Sequence, residues 1–226
     1  MPARFVYWMN VSLDLFIEHA HDEQGGGDWM SISDELHEEF NARAAALAMM
    51  VQGRKVFETM ENFWPAAREN AEFPQVYRDY GHIWTDKPKI LVSRSRTEAP
   101  YNTTVFGGDD AIERLGELRA SSTGDIGVGG ADVATQLLAA GLLDEVLLFT
   151  HPVILGSGRP LFDDVTSPVR LELLEHETYP GGVTMHRCAI RDAQCPRQPS
   201  RIEQFPPISS MGAKSMDLTE YGSDDP

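Results

Sequence analysis

The period of the apolar positions changes along the chain, and each change marks an element. Arg4 to Val11 is a short run rich in β-branched and aromatic residues, which predicts a buried strand. His19 to Asp28 is polar and contains Gly25-Gly-Gly, a loop pattern. Helical spacing follows: Leu36, Phe40 and Ala44 form one stripe, and Asp34, Glu38 and Asn41 a second, polar one, in a helix starting near Ser31–Ser33. Ala46 to Gln52 predicts a second buried strand, entering Gly53-Arg-Lys-Val-Phe-Glu-Thr-Met as a glycine turn and a helix. Between Asn62 and Pro88 one helix is expected, Ala66 to Tyr80. Lys89-Ile-Leu-Val and Thr103 to Phe106 read as strands, and Asp109 to Ala120 as a helix with Ile112, Leu115 and Leu118 inward.

The pattern is densest from Asp125 to Phe162. Ile126 and Val128 open a strand, and Gly129-Gly130 allows a tight turn. Val133, Leu137 and Leu138 then repeat at helical spacing, with Gly141 placed to end the helix. Asp144 to Leu155 is a further strand, so the stretch is a βαβ unit whose sheet needs cover on both faces. Val169 to Tyr179 and Gly182 to Ile190, joined through Pro180-Gly-Gly, predict a closing antiparallel hairpin. The expectation is a three-layer α/β/α domain over residues 1–191 with a mostly parallel sheet. From Asp192 apolar periodicity stops, which predicts a disordered or loosely docked tail over 192–226.

Charge narrows the ligand classes. The formal net charge is −16, from 35 acidic and 19 basic residues among 226. Such a field repels phosphate and argues against nucleic acid and acidic membranes as partners, so an anionic ligand needs a local basic pocket. Two cysteines, Cys188 and Cys195, stand in no metal spacing and fit a reduced, cytoplasmic protein. His19-Ala-His21 has no third ligand in register, so no metal is expected. No signal-peptide core opens the sequence and no apolar run reaches membrane-spanning length.

Candidate chemistry collects at strand ends, the ligand-binding edge of open α/β sheets. Asp14 follows the first strand, where it reads equally as a turn-forming Asp. Arg54 and Lys55 oppose the dipole of the helix they begin, which makes sense if an anion sits between. Ser93, Arg94 and Arg96 end another strand with hydroxyl and guanidinium groups suited to phosphate. The turn at Gly129-Gly130 leaves bare N–H groups and a positive helix end at residues 130–133. Arg159 lies in the tight loop Gly156-Ser-Gly-Arg-Pro-Leu-Phe, within reach of a substrate phosphate or simply in a turn. Asp34 reads locally as a capping-box acid with Ser31 as the cap, and Trp29 as core.

The order of elements resembles the dihydrofolate reductase fold. More specifically it resembles the reductase half of the riboflavin-pathway deaminase–reductase and its stand-alone relatives. Three segments within residues 4–190 carry this: Asn10-Val-Ser-Leu-Asp14; Gly53-Arg-Lys-Val-Phe-Glu-Thr-Met; and Val128-Gly-Gly-Ala-Asp-Val through Pro152-Val-Ile-Leu-Gly-Ser-Gly-Arg-Pro-Leu-Phe. The resemblance implies an NADPH site, with Gly53, Arg54, Lys55 and Val56 beside the phosphates. Ser93 and Arg94 would take the 2′-phosphate, and Gly129, Gly130, Ala131, Asp132 and Val133 would cradle the pyrophosphate. It implies that Asp34, five residues after Trp29, orients substrate and relays a proton, and that Thr150 hydrogen-bonds this acid. Asp14, Trp29, Glu38, Thr150 and Arg159 are then the substrate-side candidates.

Two positions depart from the patterns. A folate reductase places an apolar or aromatic residue four after its acid; here stands Glu38, and burying a carboxylate against a ring costs several kcal/mol. The riboflavin-type pattern has glycine after Ser-Leu-Asp, where this chain has Leu15. The zinc-deaminase signature is absent, so only a reductase half is present. The leading expectation is an NADPH-dependent reductase acting on a C=N or C=O carbon of a pyrimidine- or pterin-type small molecule, as a homodimer. A dihydrofolate or pterin reductase, and a non-catalytic NADPH-binding or interaction protein on the same scaffold, stay open.

Overall fold

The computed structural model describes residues 3–20, 27–163 and 165–191, all within the unit Met1–Ala193. The tail expected over 192–226 lies outside them, as do His21 and Cys195. The first strand, β1 (Arg4–Ser12), is central, and β2 (Phe16–His19) follows it. Next come α1 (Asp34–Ala46), β3 (Met49–Gly53), α2 (Arg54–Glu69), α3 (Gln75–Asp86) and β4 (Lys89–Val92). Then follow β5 (Thr103–Phe106), α4 (Ala111–Ser121), β6 (Asp125–Gly129), α5 (Ala131–Ala139), β7 (Leu143–His151) and β8 (Gly158–Pro160). The hairpin β9 (Arg170–Thr178) and β10 (Thr184–Arg191) closes the domain.

Eight strands form one sheet in the order β5-β4-β3-β6-β1-β7-β10-β9. Every pairing from β5 to β7 is parallel, and β10 runs antiparallel to both β7 and β9. Two cores lie on its two faces. Leu36, Phe40 and Ala44 of α1, Phe57 of α2, and Tyr80 and Trp84 of α3 cover one face against Val6, Met50 and Leu91. Ala111 and Leu115 of α4 and Val133 and Leu137 of α5 cover the other against Phe5, Tyr7 and Ile126. The expected three-layer α/β/α architecture with its closing hairpin is therefore observed. No described helix is long and apolar enough to cross a membrane.

Local chemistry fixes the boundaries. Ser33, not Ser31, caps α1, its side chain accepting the Leu36 N–H at 3.2 Å. The helix runs on to Ala46, where a strand was expected, because alanine is the best helix former, and β3 begins only at Met49. The helix expected over Ala66–Tyr80 is instead the end of α2 and the start of α3, parted at Asn70–Pro74. Gly141 closes α5 with φ 67°. The Leu142 N–H reaches Leu137 O at 2.9 Å and the Gly141 N–H reaches Leu138 O at 3.1 Å, the paired bonds of a glycine-terminated helix. β2 and β8 pair with each other as a small two-stranded sheet beside β1, a feature the apolar pattern does not announce.

Candidate active-site cleft

The C-terminal ends of β1, β3, β4, β6 and β7 share one edge of the sheet, where a cleft of about 910 Å³ opens. Its floor has bare backbone at Gly127 and Gly129 on β6, between Trp8 and Asn10 of β1 and Met50 and Gln52 of β3. A methyl on Gly127 would come within 2.6 Å of a terminal methyl of the Leu47 side chain, which would have to shift to admit it. The wall is aromatic. Phe40, Trp64, Tyr77 and Tyr80 surround His37, whose ring centroid lies 4.4 Å from that of Tyr77 and 5.8 Å from that of Trp64, and Phe63 packs on Trp64 beyond.

At the other end of the cleft two glycine turns touch. A methyl on Gly130 would lie 3.6 Å from Gly53 N, and one on Gly53 would lie 3.4 Å from Val133. Neither Gly53, preceding α2, nor Gly130, preceding α5, offers a side-chain cap, so two helix N-termini converge with free N–H groups. Gly130 has φ 106°, a value that essentially requires glycine. Arg54 and Lys55 are exposed beside this junction. Arg54 pairs with Glu58 at 2.9 Å, and Lys55 lies 4.0 Å from Glu18. Val56 walls the cleft against Gly129, Ala131 and Val133 are buried, and Asp132 is exposed. After β4, the buried Ser93 hydroxyl accepts the N–H groups of Ser95 and Arg96, shaping the turn that presents Arg94. Arg94 is exposed and has no ion-pair partner among the described residues, while Arg96 is held by Glu61. The expected cofactor residues of β3 and β6 thus meet in the fold, while Ser93 and Arg94 follow β4, the strand beside β3, and do not line the cleft.

The substrate-side expectations fare differently. Asp34 and Glu38 are exposed and stand outside the cleft lining; the α1 residues turned to the cleft are His37 and Phe40. Thr150 does not approach α1 either. Leu147 and Phe149 belong to the α1 side of the sheet and Val146 to the other, and strand alternation puts Thr150 with Val146. The next residue, His151, lies on the α1 side, its ring edge-on to Trp29 at 5.5 Å. Asp14 ties two loops together: its carboxylate accepts from Ser12 Oγ at 2.6 Å and from the N–H groups of Leu155 and Gly156. These bonds, the Ser12 one foremost, lower its pKa to about 2. Arg159 is paired with Asp163 and does not line the cleft.

Four polar groups that the apolar pattern did not single out complete the site. The Nδ1 of His37 and the Oε1 of Gln52 are buried on the cleft with no hydrogen-bond partner among the described residues. Burial lowers the His37 pKa, keeping the ring neutral. His151 is fully buried, and burial lowers its pKa to about 4. Its Nδ1 accepts the Ser31 N–H at 3.0 Å, so the proton of the neutral ring sits on Nε2, 3.1 Å from Asn10 Oδ1. Asn10 Oδ1 is thereby fixed as an acceptor, and the Nδ2 protons are what Asn10 has to give on the cleft wall.

Residues 5–185 match the family model of the RibD C-terminal domain. The uncharacterized protein YyaP of Bacillus subtilis (strain 168) is 30% identical over 181 residues, covering 80% of this chain and 91% of YyaP. A putative riboflavin biosynthesis protein from Shewanella sp. PV-4 superposes with a TM-score of 0.62 at 20% identity, over 85% of this chain and all of that one. A dihydrofolate reductase from Enterococcus faecalis, complexed with NADP(H), does so at 0.56 and 13% identity, over 84% and 97%. The fold is that of the dihydrofolate reductases.

Proposed function

The chain belongs to the RibD C-terminal domain family, and from that premise and the cleft we propose that it is an NADPH-dependent reductase of a pyrimidine- or pterin-type small molecule. The observation that carries the reading is the contact between the two uncapped glycine turns, Gly53 and Gly130, beside an aromatic cleft. Two positive helix ends and bare N–H groups suit a pyrophosphate, and a side chain at either glycine would occupy its place. Gly53 to Val56 and Gly129 to Val133 would hold the diphosphate, and Ser93 with the exposed guanidinium of Arg94, which has no ion-pair partner among the described residues, the 2′-phosphate. When bound, the nicotinamide supplies the hydride.

The protein's own part is to seat the ring, exclude water and place hydrogen bonds. Trp8, Phe40, Trp64 and Tyr77 offer flat apolar surface for a planar ring. His37, neutral and buried at the wall, takes the proton-exchanging position that spacing from Trp29 assigned to Asp34. An Asp34→Asn variant is expected to turn over normally; lost turnover with cofactor binding retained would return the role to Asp34. A homodimer in the cytoplasm belongs to the same reading.

The test is a titration of the purified protein with NADPH and, separately, NADH, followed by nicotinamide fluorescence and tryptophan quenching. NADPH is expected to bind the more tightly, and Arg94→Ala to abolish the preference. Failure of both nucleotides to bind would remove the reductase reading whatever the fold.

A further inference from the structure

The substrate half of the cleft differs in charge from the cofactor half. Among the described lining residues of the whole cleft Lys55 is the one Lys or Arg, and it sits at the cofactor end, on the α2 N-terminus, facing Glu18. Glu58, paired with Arg54, belongs to the same α2 end, and the rest of the described lining is aromatic and apolar side chains with the neutral polar groups of Asn10, His37, Gln52, Thr59 and Asn62. Arg159, the basic residue expected to meet a substrate phosphate, is taken by Asp163. A phosphorylated arm set against the aromatic wall would give up hydration with no Lys or Arg among the described lining residues there to meet it, inside a chain of net charge −16.

The polar groups present are instead matched to the edge of a ring. Asn10 offers donors, because the neutral His151 ring holds its Oδ1. Gln52 offers an acceptor with no partner among the described residues, and it is buried to 4% exposure. β6 separates their strands, whose backbones lie two strand spacings, about 10 Å, apart with the bare backbone of Gly127 and Gly129 between them. A buried acceptor left unpaired costs roughly 1–3 kcal/mol, which an N–H of a bound ring would relieve.

We propose that the substrate is an uncharged, flat heteroaromatic ring without a phosphate arm. Its carbonyl oxygen accepts from Asn10 Nδ2 and a ring N–H donates to Gln52 Oε1. Asn10 and Gln52 contact the ring, and His151 is a positioning residue acting through Asn10. The assignment rests on the reductase reading for the word substrate, but ring binding is measurable without turnover.

Riboflavin and flavin mononucleotide are the matched probes, the same imide-edged ring without and with a phosphate. Each is titrated into the full-length protein by flavin fluorescence quenching, with NADPH binding measured on the same samples. Riboflavin is expected to bind, and the mononucleotide about tenfold more weakly, with the gap widening at low salt. Asn10→Leu and Gln52→Met should each weaken riboflavin by about tenfold. His151→Leu should do the same, and His151→Gln, whose amide can accept from Ser31 and donate to Asn10, should restore binding. Thermal melts of each variant identify any that fail to fold. Equal or tighter binding of the mononucleotide, or wild-type riboflavin affinity in folded Asn10→Leu and Gln52→Met proteins, would overturn the proposal. Loss of riboflavin binding with NADPH still bound overturns it and spares the reductase reading. Riboflavin bound without NADPH upholds the ring site and removes the reductase.

Discussion

At the scale of single residues, Leu15 shows how a departure from a family pattern is accommodated. It takes φ 63° where the riboflavin-type pattern has glycine. Its N–H bonds to Ser12 O and its carbonyl accepts from Leu161, each at 3.0 Å, which holds the backbone in the left-handed region. That conformation costs an L-residue roughly 1–2 kcal/mol. Leu15 is 49% exposed, so little burial opposes its removal. Leu15→Gly should stabilise the protein by about 0.5–1 kcal/mol after the entropy glycine adds to the unfolded chain. A thermal melt should rise by about 2–3 °C; an unchanged or lower midpoint would show that the loop bears no strain.

His151 makes the acid side of the stability profile. Its folded pKa of about 4 lies below the ordinary 6.5, so between those values the unfolded chain binds the extra proton. Stability should therefore fall as pH drops from 6.5 toward 4, by about 3 kcal/mol from this group alone, and level off below. Urea midpoints at pH 7 and pH 5 should differ in the wild type and converge in His151→Gln; equal slopes in both proteins would assign the titration elsewhere. The helix beside it shows what was legible. Two residues from Leu36 is 200° around α1, so Asp34 and Glu38 must face away from the Leu36–Phe40 stripe. The helical pattern contained that answer, and the five-residue spacing from Trp29 pointed the other way. The Asn10–His151 relay was not legible, because it joins positions 141 residues apart through a tautomer.

At the scale of elements, the glycine turns were readable because a strand, a glycine and a helical stripe follow one another within a few residues. The contact between the two turns was not, since it depends on β3 and β6 being neighbours in the sheet. That contact separates two substitutions. Gly53 has φ −69° and an added methyl would meet Val133 at an ordinary 3.4 Å, so Gly53→Ala should keep its stability. Gly130→Ala forces a side chain to φ 106° and should destabilise by roughly 1–3 kcal/mol. Both should weaken NADPH binding, because each puts a methyl on the bare turn. Calorimetric binding beside a melt separates the effects, and full NADPH affinity in Gly53→Ala would argue that the turn is not the phosphate cradle. The misplaced boundary in α2 has a plain cause. Proline favours the first turn of a helix, yet Pro65, one residue before the expected start at Ala66, lies inside α2, which runs on to Glu69. The four-residue β2 and three-residue β8 are too short to show any period, and their pairing spans about 140 residues of chain.

At the scale of the whole molecule, the sheet ends unevenly. One edge is the four-residue β5, while the other is the nine-residue β9, exposed along nearly its whole length. Leu171 and Leu173, 52% and 53% exposed, share a face with their β10 partners Ile190 and Cys188. The sequence shows this face as an ordinary hairpin alternation, because the pattern cannot say whether a helix covers it. β9 mixes the exposed Leu171, Leu173 and Leu174 with charged residues, and among the described residues no strand pairs beyond it; such an edge invites pairing with another strand, and a chain that leaves it bare risks open-ended association. A two-fold pairing with a second copy closes the edge with one self-complementary surface. Light scattering should then give about 50 kDa, twice the 25.1-kDa chain. Leu171→Asp with Leu173→Asp should halve that mass and leave NADPH affinity unchanged, since the glycine cradle lies on β3 and β6, several strands away. A wild-type mass near that of one chain would reject the dimer.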